Sequence, residues 1–269
     1  MIIRHARSLL VFFVLIFVMV FDSSANITVF PLTLAVSAAP GDSGSGAFFV
    51  RNSSDKTDEV TITVADWTLQ LDGNIQFLGA GSTDRSLAPF VQFAPVNFQV
   101  EPGQVQRVEF SYDVPKDQAG DHWLLFLVDS GEITPIGGTT GEVTTSVGVR
   151  VGFGVKLLQG DPGAKQDGRV VGMRLLGKDP LSLAMRFSNT GEAILRDITG
   201  RIEVRNVMGE TVRTFEPKPF TVLPGGTREL TVTQAKDDPK LPAGDYVALA
   251  IVDFGADFLV AGELPFTLD

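Results

Sequence analysis

Cysteine is absent from all 269 residues. That excludes disulfides, a lipid-modified cysteine and any thiolate metal site. Histidine is almost absent: His5 lies at the extreme N-terminus, and the rest of the chain holds only His122. One imidazole cannot make a histidine-based metal site. A Ser-His-Asp apparatus would need it held in a shaped site by an acid, whereas His122 opens an apolar run ending at Val128. Helical periodicity is also missing. Beyond residue 25 no long stretch repeats every 3.6 residues, and short alternating runs lie between clusters of Gly, Pro, Asn and Asp, which argues for an all-β fold. Basic charge is scarce as well, with 22 Lys and Arg against 32 Asp and Glu and a net charge of −10. Removing residues 1–25 takes away a net +1 (Arg4, Arg7, Asp22) and leaves −11. This disfavours nucleic acid and anionic membrane surfaces as partners, both of which attract basic patches.

The longest apolar run, residues 9–21, follows Arg4 and Arg7 and precedes Ser23-Ser24-Ala25. This is the pattern of a signal peptide cleaved after Ala25. An uncleaved anchor is the alternative, but the run is short of the ~20 residues a span needs. The expected location is extracytoplasmic, in the periplasm or at the cell surface, with no membrane insertion after cleavage. An exported chain without disulfides must depend on its own core, and domains of ~100 residues suffice for that. Gly160, Asp161, Pro162 and Gly163 form a breaker cluster. The expected organisation is two tandem immunoglobulin-like β-sandwich domains after the signal peptide, at 26–158 and 169–269, joined by a linker at 159–168.

The first unit is organised around residues 143–157. Val143, Thr145, Val147, Val149, Val151, Phe153, Val155 and Leu157 alternate with Thr144, Ser146, Gly148, Arg150, Gly152, Gly154 and Lys156. Strict period-2 alternation places the two sets on opposite faces of one strand. Before it, residues 26–36 read as a first strand kinked or at an edge because of Pro31. Residues 40–46 read as a turn, Asp72-Gly73 as a hairpin, and 131–141 as a Gly/Thr loop. Three landmarks recur in order in the second half. Val50-Arg51-Asn52-Ser53 resembles Phe187-Ser188-Asn189-Thr190. Phe98-x-Val100-x-Pro102-Gly103 matches Phe220-x-Val222-x-Pro224-Gly225. Ala119-Gly120-Asp121-His122 matches Ala243-Gly244-Asp245-Tyr246. His122 thus stands where the repeat has a tyrosine, a residue that commonly braces a sandwich corner.

Chemistry-bearing clusters are sparse. Asp237-Asp238, Asp161 with Asp167, and Asp253 with Asp257 lack calcium-loop spacing. Gly152-x-Gly154 and Gly137-Gly138 precede no helix and make no phosphate loop. Asn26-Ile27-Thr28 and Asn52-Ser53-Ser54 are glycan acceptors only in a eukaryotic secretory pathway. Trp67 has two readings, a core tryptophan of the sandwich or a surface residue that stacks on sugar. No cofactor or metal is expected.

Taken together, Val29-Phe30-Pro31, Val50-Arg51-Asn52, Phe98-x-Val100-x-Pro102-Gly103, the run from His122 to Val128 and the alternating strand resemble the periplasmic pilus chaperones and the divergent envelope proteins around them. The resemblance covers about residues 26–158. It implies a non-enzymatic chaperone-like protein that binds an envelope or surface polypeptide, a pilin-like subunit, by β-strand addition. Carried over by position, the partner-binding residues are Val147, Val149, Val151 and Phe153. That family clamps the subunit's terminal carboxylate between a first-strand arginine and a last-strand lysine. Arg150 is the match to the lysine, and residues 26–36 contain no base to match the arginine. The alternative is a structural or adhesive immunoglobulin-like module, binding glycan through Trp67. An enzyme is disfavoured because no acid/base pair or nucleophile constellation is visible.

Overall fold

The computed structural model describes residues 27–136 and 147–269, with the backbone alone at 131–136 and 147–153. The signal-like segment and the start of the alternating run, 143–146, lie outside the described residues. The described fold is all-β, with one 3-10 turn at Ala88–Phe90. The first sandwich comprises β1 (Ile27–Phe30), β2 (Thr33–Ser37), β3 (Ser43–Asn52), β4 (Asp58–Leu69), β5 (Ile75–Leu78), β6 (Val91–Ala94), β7 (Asn97–Val100), β8 (Val105–Asp113), β9 (His122–Ile136) and β10 (Val147–Gly160). One sheet has the order β1-β3-β8-β6; the other runs β2-β10-β9-β4-β5, with β7 also on β4. The second sandwich comprises β11 (Gly168–Lys178), β12 (Leu181–Asn189), β13 (Leu195–Asn206), β14 (Thr211–Phe215), β15 (Phe220–Val222), β16 (Thr227–Thr233), β17 (Gly244–Asp253) and β18 (Val260–Leu268). Its sheets are β11-β12-β16 and β14-β13-β17-β18, with β15 on β13.

Period-2 alternation builds both cores. Val60 and Ile62 of β4, Val108 and Phe110 of β8, Leu124, Phe126 and Val128 of β9, and Val155 and Leu157 of β10 meet in one cluster. The Phe126 ring lies 5.1, 5.4 and 5.5 Å from those of Phe48, Phe93 and Phe110. Leu183, Met185 and Phe187 face Ile202, Val204, Ala248 and Val252 in a separate core. Each such side chain contributes about 1.5–3 kcal/mol by leaving water.

Pro31 does more than kink the first strand. It separates β1, antiparallel on β3, from β2, which runs parallel to β10 in the other sheet. Residues 40–46 correct the expectation of a turn: β3 begins at Ser43. Gly44 and Gly46 pair with Tyr112 and Phe110 on β8. A Cβ at Gly44 would collide with the Tyr112 side chain and one at Gly46 with the Phe110 ring, so the glycines make room for aromatic packing. The expected loop at 131–141 is strand to Ile136. Ladder pairing with β10 overrides the local breaker signals of Gly131 and Pro135.

The internal repeat exists at atomic level. Asn52 Nδ2 donates to the carbonyls of Lys56 and Val100 at 2.6 and 2.8 Å. Asn189 Nδ2 donates to Ala193 and Val222 at 2.8 and 3.0 Å. The amides of Gly103 and Gly225 donate to the carbonyls of Asn52 and Asn189 at 3.0 and 3.1 Å. Each sandwich therefore ties its Pro-Gly turn to its Asn turn with the same knot. Buried with both amide hydrogens engaged, Asn52 is not a glycan acceptor. At the third landmark the Tyr246 hydroxyl donates to Pro242 O at 2.9 Å, and buried His122 bridges Gln159 and Gln118 at 3.1 and 3.2 Å. Both side chains brace a corner. Burial lowers the His122 pKa below the usual imidazole value, opposed by the bond to Gln159.

Candidate functional site: an open strand edge beside a cationic cavity

β10 has β9 along one side for its whole described length. Its other side meets β2 only from Lys156 to Gly160. Among the described residues no strand pairs with that side from Val147 to Val155. The cause is the sheet switch at Pro31, because chain that would have continued alongside β10 crosses to β3 instead. An unpaired edge presents N–H and C=O groups to any extended chain that reaches it.

The two sandwiches meet at a small apolar cluster: Trp67, Trp123, Leu125 and Leu158 from the first, Ile194 and Leu223 from the second. Trp123 Nε1 donates to Trp67 O at 2.9 Å. Asp121, 5% exposed, completes the joint. One of its oxygens accepts from the Asp161 amide at 2.8 Å and the other from the Ile194 amide at 2.7 Å. Its own amide donates to Glu192 O at 2.9 Å. Burial raises the Asp121 pKa above the usual carboxylate range, opposed by the Ile194 and Asp161 amides and by Arg196. The tip of the β4–β5 hairpin docks as well, with Leu71 O accepting from the Glu229 amide at 2.8 Å.

Beside this cluster lies a cavity of about 270 Å³. Lys156, Arg196 and Arg228 line it, and among the described residues no carboxylate does. Lys156 Nζ stands 5.0 Å from the centroid of the Trp67 ring. Arg228 reaches across to the hairpin, its Nη1 donating to Leu71 O at 3.3 Å. Burial lowers its pKa below the usual guanidinium value, opposed by Asp72. Trp67 also lines the cavity, and its indole N–H is buried without a partner among the described residues.

The predicted residues divide between edge and cavity. Val147, Val149, Val151 and Phe153 lie on the open stretch of β10. Arg150 sits where the β9–β10 register shifts, six residues from Lys156 and therefore about 20 Å along the strand. The cation of β10 at the cavity is Lys156. The alternating pattern already contained it, as the last base before the breaker cluster. Arg196 and Arg228 carry no such signal, since in sequence they are ordinary strand cations. Trp67 is 3% exposed and packs in the joint. This corrects the sugar-stacking expectation, because its ring is taken up by Trp123 and Lys156.

No family model and no curated protein matches the chain. Solved structures similar to it include the class 5 fimbriae chaperone CfaA, at 8% identity and a TM-score of 0.46, covering 91% of this chain and 99% of that one. The CsuC–CsuE chaperone–tip adhesion subunit pre-assembly complex of Acinetobacter baumannii is similar at 11% identity and a TM-score of 0.45, covering 91% and 98%. The YadV chaperone is similar at 13% identity and a TM-score of 0.45, covering 90% and 100%. At such scores the likeness assigns no residue a role.

Proposed function

We propose that this chain is a non-enzymatic, chaperone-like envelope protein that holds a pilin-like polypeptide by strand addition along β10. The observation that carries this reading is the side of β10 left unpaired from Val147 to Val155. Main-chain bonds along such an edge supply affinity, and alternate side chains supply register. Val147, Val149, Val151 and Phe153 are the register residues, with Arg150 beside them. The cavity begins where the open edge ends, because Lys156 is the first residue of β10 that β2 covers. The clamp for a partner's terminal carboxylate falls to Lys156, with no base required from β1 or β2.

The test is a photo-crosslinker placed at residue 149 in one variant and at residue 107, on β8 of the opposite sheet, in another. Expressed in cells that export the protein, the first variant captures a discrete polypeptide and the second does not. Equal capture at both positions, or none at residue 149, refutes strand addition.

A further inference from the structure

The three cavity cations belong to two different bodies. Lys156 comes from the first sandwich, Arg196 and Arg228 from the second. The chain is acidic overall, yet among the described residues no acid lines this cavity. None of the three cations forms an ion pair within 4.0 Å among the described residues. Asp121 and Asp72 affect Arg196 and Arg228 only through longer-range charge, and Asp121 is already occupied by two amides. Like charges gathered around one cavity repel one another unless an anion sits among them.

We propose that this cavity binds an oxyanion that bridges the sandwiches, with Arg196 and Arg228 as its second-sandwich ligands, so that anion binding tightens the joint. The ligand class is a carboxylate or a phosphate, either of which accepts from guanidinium forks and an ammonium together. The coupling follows from linkage. An anion that touches both bodies binds the closed joint better than an open one, and it stabilises the closed joint by the same factor. The proposal rests on the chaperone reading only for the suggestion that a polypeptide's end supplies the carboxylate. Arg196 and Arg228 as ligands, and the coupling, follow from the cavity itself.

The experiment uses the chain without its leader. Inorganic phosphate is titrated in one arm and a short peptide with a free C-terminus in another, with the amidated peptide as control. Trp67 and Trp123, the chain's two tryptophans, both lie in the joint, so their fluorescence reports the site. Protease cleavage between β10 and β11 reports the joint. The expected result is saturable binding of phosphate or free-acid peptide, slower linker cleavage when bound, and about tenfold weaker binding in Arg196→Gln and Arg228→Gln, the scale of one charge-assisted hydrogen bond. Preference for the free-acid peptide over phosphate identifies a chain terminus as the source, and the reverse preference identifies free phosphate. Arg228 touches the hairpin, so Arg196→Gln, which removes no hydrogen bond among the described residues, keeps the test valid if Arg228→Gln misfolds. Absence of binding in all arms overturns the proposal, as does binding that both arginine variants retain or that leaves cleavage unchanged. Such failure with intact capture at residue 149 would refute the anion bridge alone.

Discussion

Replacing Asn189 tests whether the repeated knot stabilises each sandwich. Its side chain is 1% exposed and makes three hydrogen bonds, to Ala193 O, to Val222 O and from the Gly191 amide. Asn189→Ala takes this partner from two carbonyls, while the Gly191 amide keeps its bond to Asp167 O at 3.1 Å. An orphaned buried group costs about 1–3 kcal/mol. Partial access to water reduces the sum over the two carbonyls, and we expect about 2–4 kcal/mol, a large part of the ~5–15 kcal/mol that holds a domain together. Asn189→Asp discriminates further. It keeps the shape and the acceptor for Gly191, but at neutral pH it sets a carboxylate against two carbonyls. Burial and those carbonyls favour its protonated form, so its folded pKa rises above the ordinary ~3.9. A raised carboxylate pKa costs stability at neutral pH, and that cost fades as pH falls through the folded value. Urea unfolding followed by circular dichroism, with hydrogen exchange at Phe187 and Val204 to isolate the second sandwich, measures both effects. The Asn189→Asp deficit relative to wild type should shrink between pH 7 and pH 4, while that of Asn189→Ala should not. A loss below ~1 kcal/mol for Asn189→Ala, or a flat pH profile for Asn189→Asp, would refute the reasoning.

Three further outcomes are expected. Gly46→Leu forces a side chain against the Phe110 ring and should destabilise the first sandwich by about 1–3 kcal/mol as overpacking, read by chemical denaturation; a neutral result would show that the ring can move aside. Asp121→Ala removes the acceptor shared by the Asp161 and Ile194 amides; amide exchange at Ile194 should quicken at least tenfold while Phe187 stays protected. Burial lowers the pKa of folded His122 below the ordinary imidazole value. As pH falls through the ordinary ~6.5 toward that lowered value, the unfolded chain takes up the proton first and stability drops. His122→Gln should remove that slope from the urea midpoint between pH 7.5 and 5.5, and an unchanged slope would assign it to another group.

Much of this molecule is written in local pattern. The alternation in β4, β8, β9 and β10 needs only the pleat of a strand to sort apolar from polar faces. The three repeated landmarks announced a second sandwich, because a knot of Asn side chain and Pro-Gly turn is specified within short stretches of chain. Where local signals misled, a distant partner was the cause. Gly44 and Gly46 read as a turn until the rings of Phe110 and Tyr112 are laid over them. Gly131 and Pro135 read as a loop until β10 pairs alongside. Trp67 could stack on sugar or fill a joint, and only the position of the second sandwich chose between these.

The site divides along the same line. From sequence alone come the all-β class, the long strand and its order of side chains, because each depends on neighbours one or two residues away. Which side of β10 stays open depends on β1 leaving for the other sheet and on β2 pairing with β10 across more than a hundred positions of chain. Lys156, Arg196 and Arg228 line one cavity because two sandwiches with distinct cores meet through Asp121 and a few apolar side chains. Alternation specifies a face. It carries no information about which charges two docked surfaces bring together.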